Sequence, residues 1–350
     1  MRKALVAVAI IGTAIAGLTW PPLGVGEFSG EWGIARELLS SGTVQSYPHG
    51  AVNAYPLPLE LLFVPSGLFG PTEVSILGRV VTLVLIGAAL WMWSPGLKVI
   101  LPALLSMPAM EAIFTDHVMS AVGLFGMSLA MWAWQRNRWF LCGIGLGFGS
   151  IRFVNAVPFV VAMIFCTRWS AVSLSRLVLG AVSLIAPLTI AAFWFDPNWP
   201  REYLSNLSVY GVAGVAQVAM HWGSLGEIVL LAALAVISVI LVRFRSRDGL
   251  AIALALSVIA APMQSPYAAI FGLPALVRVA ARTGYLTAVW IVNDAIWLAF
   301  IGTVLMHAVY LASAAGLLLL IAAYPLVRSS ATSPADDRPV GPEATTAGTA

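Results

Sequence analysis

The sequence predicts an all-α protein that crosses a membrane many times, and its composition and charge placement are the basis for this prediction. Hydrophobic residues make up 60% of the 350 residues, and charged residues only 9%, against roughly 25% in an ordinary soluble domain. A soluble fold needs charged surface, so the apolar excess has to face lipid. This composition excludes a soluble enzyme, a nucleic-acid-binding protein and a secreted disulfide scaffold.

Twelve apolar segments are candidate transmembrane helices. Several are shorter than the about 20 residues that a perpendicular span requires, so their ends are approximate. The first segment is interpreted as an uncleaved membrane helix, because no small-residue cleavage site precedes Pro21. The twelve segments are 4–20, 72–93, 98–114, 118–134, 139–151, 154–167, 174–195, 224–243, 248–261, 267–282, 284–303 and 305–327.

The basic residues orient these spans. With the N-terminus in the cytoplasm, eleven of them fall on the cytoplasmic side, as the positive-inside rule requires. An odd helix added anywhere reverses this pattern, so we predict that both termini are cytoplasmic. The eleven residues are Lys98, Arg136, Arg138, Arg168, Arg176, Arg243, Arg245, Arg247, Arg278, Arg282 and Arg328.

The remaining segments complete a single membrane domain over residues 1–328. Two loops, 21–71 and 196–223, face the outside in this topology. Within the first loop, the apolar stretch 57–69 is too short to span, so we predict an interfacial helix on the outer surface. The polar tail 329–350 lacks apolar periodicity and is predicted to be disordered.

A short amphipathic helix is predicted over residues 27–42. It ends at Ser40-Ser41-Gly42, which is a stop signal. Glu27 lies at its N-terminal end, where the helix dipole favours an ionised carboxylate. The apolar residues that recur at helical spacing are Trp32, Ala35, Leu38 and Leu39.

Charged residues gather on the predicted outer side of the membrane. Arg79 lies near the outer end of the second span, and the hairpin after the third span carries Glu111, Asp116 and His117. Arg152 breaks the positive-inside pattern, and an arginine at membrane depth costs energy unless an anionic group meets it. A lipid phosphate meets this requirement, and so does a structural salt bridge to Asp116 or Glu111.

The first outer loop resembles that of the GT-C class of membrane glycosyltransferases. Glu27 precedes an Ala-Arg-Glu-Leu-Leu helix, and Tyr55-Pro56-Leu57-Pro58 follows. The order is most similar to glycosyltransferase family 87, the polyprenol-phosphate-mannose-dependent mannosyltransferases, with its acidic residue, short helix, Tyr-Pro-Pro and apolar interfacial helix. Further motifs keep the family order over about residues 15–280, namely Arg79, Thr115-Asp116-His117, the glycine-rich 142–147 with Ile151-Arg152, Asp196-Pro197 with Trp199 and Tyr203-Leu204, and Gln264-Ser265-Pro266-Tyr267.

The sequence departs from the family pattern at several positions, so it resembles a divergent relative. Glu27 replaces the usual aspartate, Arg152 replaces a lysine, and Leu57 replaces the second proline. Asp116-His117 stands where the family often has Gly-Gln. Because glutamate is one methylene longer than aspartate, the position of the base shifts.

The resemblance implies a GT-C-like fold and an inverting transfer of a hexose, mannose in family 87, from a polyprenyl-phosphate donor. The acceptor is a cell-envelope glycan or glycolipid on the outer face. Glu27 acts as general base, with Glu31 one turn away as the alternative. Neither a metal nor another cofactor is implied, and the partners are donor, acceptor and membrane lipids. The implied phosphate-binding residues are Arg152, Arg79 and His117, and the implied substrate contacts are Tyr55, Asp116, Trp32 and His221. The aromatic residues among them are equally well explained as anchors at the membrane interface.

Two other functions stay open at this point. Twelve spans with both termini inside are also typical of a carrier or lipid-sugar flippase, although carriers usually place charges midway along several helices. The altered motifs also fit a non-catalytic GT-C-like assembly subunit. Loss of Glu27 distinguishes this subunit from an enzyme, because an enzyme does not tolerate the loss and an assembly subunit does.

Overall fold

The computed structural model describes residues 28–42, 56–204, 236, 246–260 and 270–283. These residues are mostly helical, and no strand occurs among them, which confirms the predicted all-α class for this part of the chain. 3-10 helices follow α2 at Leu61–Leu68 and α7 at Ser150–Arg152. The α-helices are α1 (Phe28–Ser41), α2 (Leu57–Glu60), α3 (Pro71–Trp93), α4 (Leu97–Leu104), α5 (Met107–Phe114), α6 (Val118–Gln135), α7 (Trp139–Gly149), α8 (Phe153–Cys166), α9 (Ala171–Phe195), α10 (Ser246–Ala260) and α11 (Leu273–Thr283).

Three helices, α3, α6 and α9, are long and apolar enough to cross a membrane. They coincide with the predicted spans 72–93, 118–134 and 174–195, and they mark the chain as a membrane protein. Helices α7, α8, α10 and α11 occupy four further predicted spans but are shorter. The predicted spans 4–20, 224–243, 284–303 and 305–327 and the tail 329–350 lie outside the described residues.

The predicted third span over 98–114 is a bent pair of helices, which is long and apolar enough to be one span when the two helices are taken together. The structure has two helices there, α4 and α5, which meet at a bend of 62°. Ser106 at the bend is extended, with ψ of 150°, and Pro108 follows in the first turn of α5, where its missing N–H is not needed. The chain after the pair returns to the first third of α3, because Asp116 after α5 contacts Arg79.

Side-chain hydrogen bonds join helix ends that the topology predicts on the same side. Trp134 Nε1 donates to Thr167 Oγ1 at 2.9 Å, and both residues were predicted at the cytoplasmic end. Asn155 Nδ2 donates to Ser257 Oγ at 3.2 Å, and both were predicted at the outer end. The contacts therefore agree with the alternation of the helices, while their orientation in a membrane stays a prediction.

Glycines bring α6, α7 and α9 into backbone contact. A Cβ on Gly145 of α7 would lie 2.5 Å from the backbone N of Ala130 on α6. On the opposite face of α7, a Cβ on Gly143 would overlap the carbonyl oxygen of Leu177 on α9. Small residues at such crossings let membrane helices pack by close van der Waals contact. The glycine-rich α7 is therefore the centre of a three-helix unit.

Helix α1 confirms the predicted amphipathic helix, but its buried face differs from the predicted one. Phe28, Ala35 and Leu38 are buried as part of the protein core, whereas Leu39 is 47% exposed. The remaining member of the buried face is an acid, Glu31. Spacings of three and four residues put these positions on one stripe of the helix, and Leu39 lies beside that stripe.

The end of α1 and its packing fix where this helix lies. Gly42 has φ of 70° and donates its N–H to Leu38 O at 3.0 Å, which is the usual glycine ending of a helix. The 3-10 helix Leu61–Leu68 packs on α1 through Gly67, whose added Cβ would lie 2.8 Å from the backbone of Ala35. The predicted short helix at 57–69 is therefore present, and it packs on protein along α1.

Candidate functional site

The turn between α5 and α6 places Asp116 and His117 at one end of the helix bundle. Asp116 has φ of 59°, in the left-handed region. The His117 N–H donates to Ala112 O at 2.9 Å and closes the last turn of α5, as in a Schellman-type helix end. Aspartate tolerates this conformation better than most residues, at a cost of about 1 kcal/mol. The turn thereby fixes two adjacent polar side chains at the start of α6.

Asp116 joins this turn to the start of α3. Its carboxylate is only 2% exposed, and it accepts hydrogen bonds from Arg79 Nε at 3.0 Å and from Ser75 Oγ at 2.6 Å. Burial raises the pKa of Asp116 above its ordinary value, and the bonds from Ser75 and Arg79 oppose that rise. Each carboxylate oxygen therefore has a donor from α3. The guanidinium of Arg79 also lies 5.7 Å from the ring centroid of Phe114.

Glu31 is buried on the inner face of α1 and is only 7% exposed. Its Oε2 atom has no hydrogen-bond partner among the described residues. Burial raises the pKa of Glu31 from 4.5 to about 7, while a backbone hydrogen bond and the positive charge of Arg152 act against the rise. A carboxyl group with this pKa exchanges a proton near neutral pH, which suits a general acid or base.

The positive charge of Arg152 acts on both Glu31 and His117 and lowers the pKa of each. The residue ends the 3-10 turn after α7 and is half-buried. Its side chain passes over Gly123 of α6, where an added Cβ would lie 3.1 Å from Arg152 Cβ. The missing side chain at Gly123 therefore makes room for the arginine at this end of the bundle.

His117 is buried and lies beside a second buried acid, Glu111. His117 Nε2 is 3.7 Å from Glu111 Oε1, and the two residues are 6% and 8% exposed. Burial, and then the charge of Arg152, lowers the pKa of His117 well below 6.5. The imidazole is therefore neutral at pH 7.

The structure brings together five of the nine site residues that the sequence predicts. Glu31, Arg79, Asp116, His117 and Arg152 meet at the same end of the bundle, and they come from α1, α3, the α5–α6 turn and the turn after α7. These five residues are far apart in the sequence and form one cluster in the structure, which we call the acid–arginine cluster.

The other predicted site residues are placed differently or lie outside the described residues. Trp32 donates its indole N–H to Phe69 O at 3.0 Å, and the guanidinium of Arg36 lies 5.3 Å from its ring centroid. Trp32 therefore fastens α1 to the end of the 3-10 helix. The three predicted residues outside the described part are Glu27, Tyr55 and His221.

Sequence reasoning did not assign three contributors to the site. Ser75 carries no signal in the sequence, because a serine one turn before an arginine is common in apolar helices. Gly123 also carries none, since only the path of Arg152 across α6 shows why a side chain is absent there. Glu111 was noticed in the hairpin but not assigned, and its contact with His117 adds it to the cluster.

Comparisons with protein-family models, curated proteins and solved structures find no match to this chain. Within the described residues, no three His, Cys, Asp or Glu side chains are grouped so as to hold a metal ion. The chemistry of the site is therefore argued from the acid–arginine cluster itself.

Proposed function

We propose that the protein is a membrane glycosyltransferase that uses a polyprenyl-phosphate sugar as donor. In this proposal the chain has a GT-C-like fold of about twelve spans, and the acid–arginine cluster lies at the outer face. The donor is a hexose linked through phosphate to a polyprenol, mannose by resemblance to family 87. The acceptor is a hydroxyl of a cell-envelope glycan or glycolipid.

The observation that carries the proposal is a buried acid that the charge of an arginine reaches, at the end of apolar helices. Glu31 has a pKa of about 7 and an oxygen without a hydrogen-bond partner among the described residues, and the charge of Arg152 reaches it. Glycosyl transfer from a lipid phosphate needs this combination. A base must take a proton from the acceptor, and a cation must stabilise the phosphate that leaves.

The reaction balances with these two groups. The acceptor oxygen attacks the anomeric carbon and forms the new glycosidic bond, while the bond from that carbon to the phosphate oxygen breaks. The hydroxyl proton passes to the carboxylate of Glu31, and the electron pair of the broken bond stays on the polyprenyl phosphate beside Arg152. A direct displacement of this kind inverts the anomeric centre.

Glu27 stays the second candidate for the base. In the sequence it directly precedes Phe28, the first residue of α1, and stands four positions before Glu31. The described geometry supports Glu31, because this residue lies on the buried face that packs towards α3 and α6 through Phe28. The resemblance supports Glu27, because it occupies the position of the family's acid.

A non-catalytic assembly subunit is the second candidate function, and one observation favours it. Both oxygens of Asp116 are bonded to α3, so this departure from the family pattern serves to hold the turn. Asp116 also adopts the left-handed conformation that glycine favours, at the position where the family often has Gly. The altered motif thus has a structural explanation that requires no catalysis.

The test uses purified protein in liposomes with radiolabelled polyprenyl-phosphate mannose and a glycolipid extract as acceptor. Transfer is compared for the native chain, Glu31→Gln, Glu27→Gln and the matched control Glu202→Gln, an exposed acid after α9. We expect Glu31→Gln to lose at least a hundredfold in rate, which is the usual contribution of a general base. Glu202→Gln should keep the native rate.

The pH dependence of transfer checks the assignment of the base. With Glu31 as base, the rate should rise as pH increases through about 7, because only the ionised carboxylate accepts the proton. Loss of transfer in Glu27→Gln alone moves the base to that residue. Absence of transfer by the native chain, with mannose and with other polyprenyl-phosphate hexoses, overturns the enzyme and favours the assembly subunit.

A further inference from the structure

We propose that the opposite end of the bundle carries a binding site for the headgroup of an anionic phospholipid. The site is formed by the turn between α6 and α7 and by the connection between α8 and α9, and its cations are Arg136, Arg138 and Arg168. Helix α6 separates it from the acid–arginine cluster by 18 residues, or about 27 Å. The proposal does not depend on the glycosyltransferase activity.

Trp132 holds the first two arginines in place. The guanidinium of Arg136 lies 4.3 Å from the Trp132 ring centroid, and that of Arg138 lies 5.4 Å from it. Arg136 Nη1 also donates to the carbonyl oxygen of Trp132 at 3.2 Å. Two arginines on one indole are already ordered before a ligand binds, so less side-chain entropy is lost on binding. Both remain exposed and keep further N–H donors for a phosphate.

Tryptophans also bring the second segment to this turn. The rings of Trp139 and Trp169 have centroids 5.4 Å apart, and Trp134 Nε1 donates to Thr167 Oγ1 at 2.9 Å. These two contacts bind the start of α7 and the end of α6 to the α8–α9 connection. The exposed Arg168 lies between the two contacting residues of that connection, so the third cation is held near the first two.

The three arginines have no acidic partner among the residues that the structure describes. No ion pair joins Arg136, Arg138 or Arg168 to an acid within the described ranges. Asp248, at the start of α10, is already paired with Arg278, whose Nε lies 2.7 Å from Asp248 Oδ1. Three exposed guanidinium groups of this kind match the fork geometry and charge of a phosphate.

The surroundings of the arginines favour a lipid over a free phosphate ion. Ile164 and Phe165 of α8 are 48% and 73% exposed, and they lie one turn before Arg168 towards the middle of the bundle. Phe140, close to Arg138 in the chain, is 40% exposed. A lipid with its phosphate at the arginines therefore has apolar side chains along its acyl chains. Tryptophan beside arginine at this depth is also typical of a membrane interface.

The test measures lipid retention by native mass spectrometry of the full chain, released from bilayers of equal parts phosphatidylglycerol and phosphatidylcholine. We expect the native chain to retain phosphatidylglycerol preferentially. Each of Arg136→Gln and Arg138→Gln should lower that preference about fivefold, since one arginine near an anionic surface contributes about a factor of this size. Arg201→Gln is the matched control, because Arg201 is exposed at the far end of α9.

Three results overturn the proposal. The first is equal retention of both lipids by the native chain, and the second is an equal loss of the phosphatidylglycerol preference in Arg201→Gln. The third is displacement of bound lipid by inorganic phosphate at constant ionic strength, which assigns the site to a free anion. Folding of each variant is checked by its thermal transition. Should the arginine variants unfold, the native chain alone still decides, because its preference for phosphatidylglycerol must weaken as salt screens the exposed guanidinium groups.

Discussion

Glu31→Gln should make the protein more stable at alkaline pH, whatever its effect on the proposed transfer. The buried carboxyl of Glu31 has a pKa of about 7 instead of 4.5. Such a rise means that ionising the group costs about 3 kcal/mol more in the folded state than in the unfolded chain. Glutamine has nearly the same shape and carries no charge, so it removes this cost.

The sign of the effect follows from proton binding. Between pH 4.5 and about 7 the folded state holds the Glu31 proton more tightly than the unfolded state, so native stability falls as pH rises through this window. Below pH 4.5 the carboxyl is neutral in both states, and the native and variant chains should have similar stability. Above about pH 7 the full difference is present, and Glu31→Gln should be more stable by up to about 3 kcal/mol.

The assay is denaturant unfolding of both chains in the same detergent micelles from pH 4 to pH 8, followed by helix circular dichroism. Glu202→Gln is the control. Because this acid is exposed, the difference in free energy of unfolding between this variant and the native chain should not change over this pH range. A Glu31→Gln chain that is less stable than the native chain at pH 8 refutes the reasoning. In that case Arg152 holds the ionised carboxylate more strongly than burial penalises it.

Two further substitutions test the packing around the site. Asp116→Asn should destabilise the fold by about 3 kcal/mol in the same unfolding assay, because the guanidinium of Arg79 then stays partly buried without its counter-ion. An unchanged unfolding midpoint would contradict a structural role for the Asp116–Arg79 pair. Gly143→Ala should destabilise by about 1–3 kcal/mol or more, since the added Cβ overlaps a backbone carbonyl of α9. Its control is Gly87→Ala, whose added Cβ meets nothing closer than 3.9 Å, so this variant should be neutral or stabilising through better helix propensity. Similar losses of stability in the two glycine variants refute the close packing of α7 on α9.

The positions of the long helices could be predicted from the sequence, because an apolar run of sufficient length has few other structures available. Helices α3, α6 and α9 each match a predicted span within a few residues. The bend between α4 and α5 could also have been suggested by Pro102 and Pro108, yet hydropathy averages over such residues. Whether a proline kinks a helix or ends it depends on the neighbouring helices, which one sequence does not contain.

The charged cluster was predictable only as a set of residues on one side. Charge placement assigned Arg79, Asp116, His117 and Arg152 to the same end, and the structure puts them there. The pairing among them was not predictable, since a hairpin residue can reach either of two neighbouring helices. In the structure Asp116 has a left-handed backbone and accepts from Arg79 of α3.

The face of α1 shows why a functional acid is hard to find by periodicity. The apolar residues of this helix predict a stripe through Trp32 and Leu39, and an acid inside such a stripe looks like an error in the pattern. In the structure the stripe is rotated, so Glu31 takes a buried position between Phe28 and Ala35. An ionisable group in a core position is destabilising by itself. The proposed transfer would give this acid a use, because it needs a proton acceptor with a pKa near 7 that the charge of an arginine reaches.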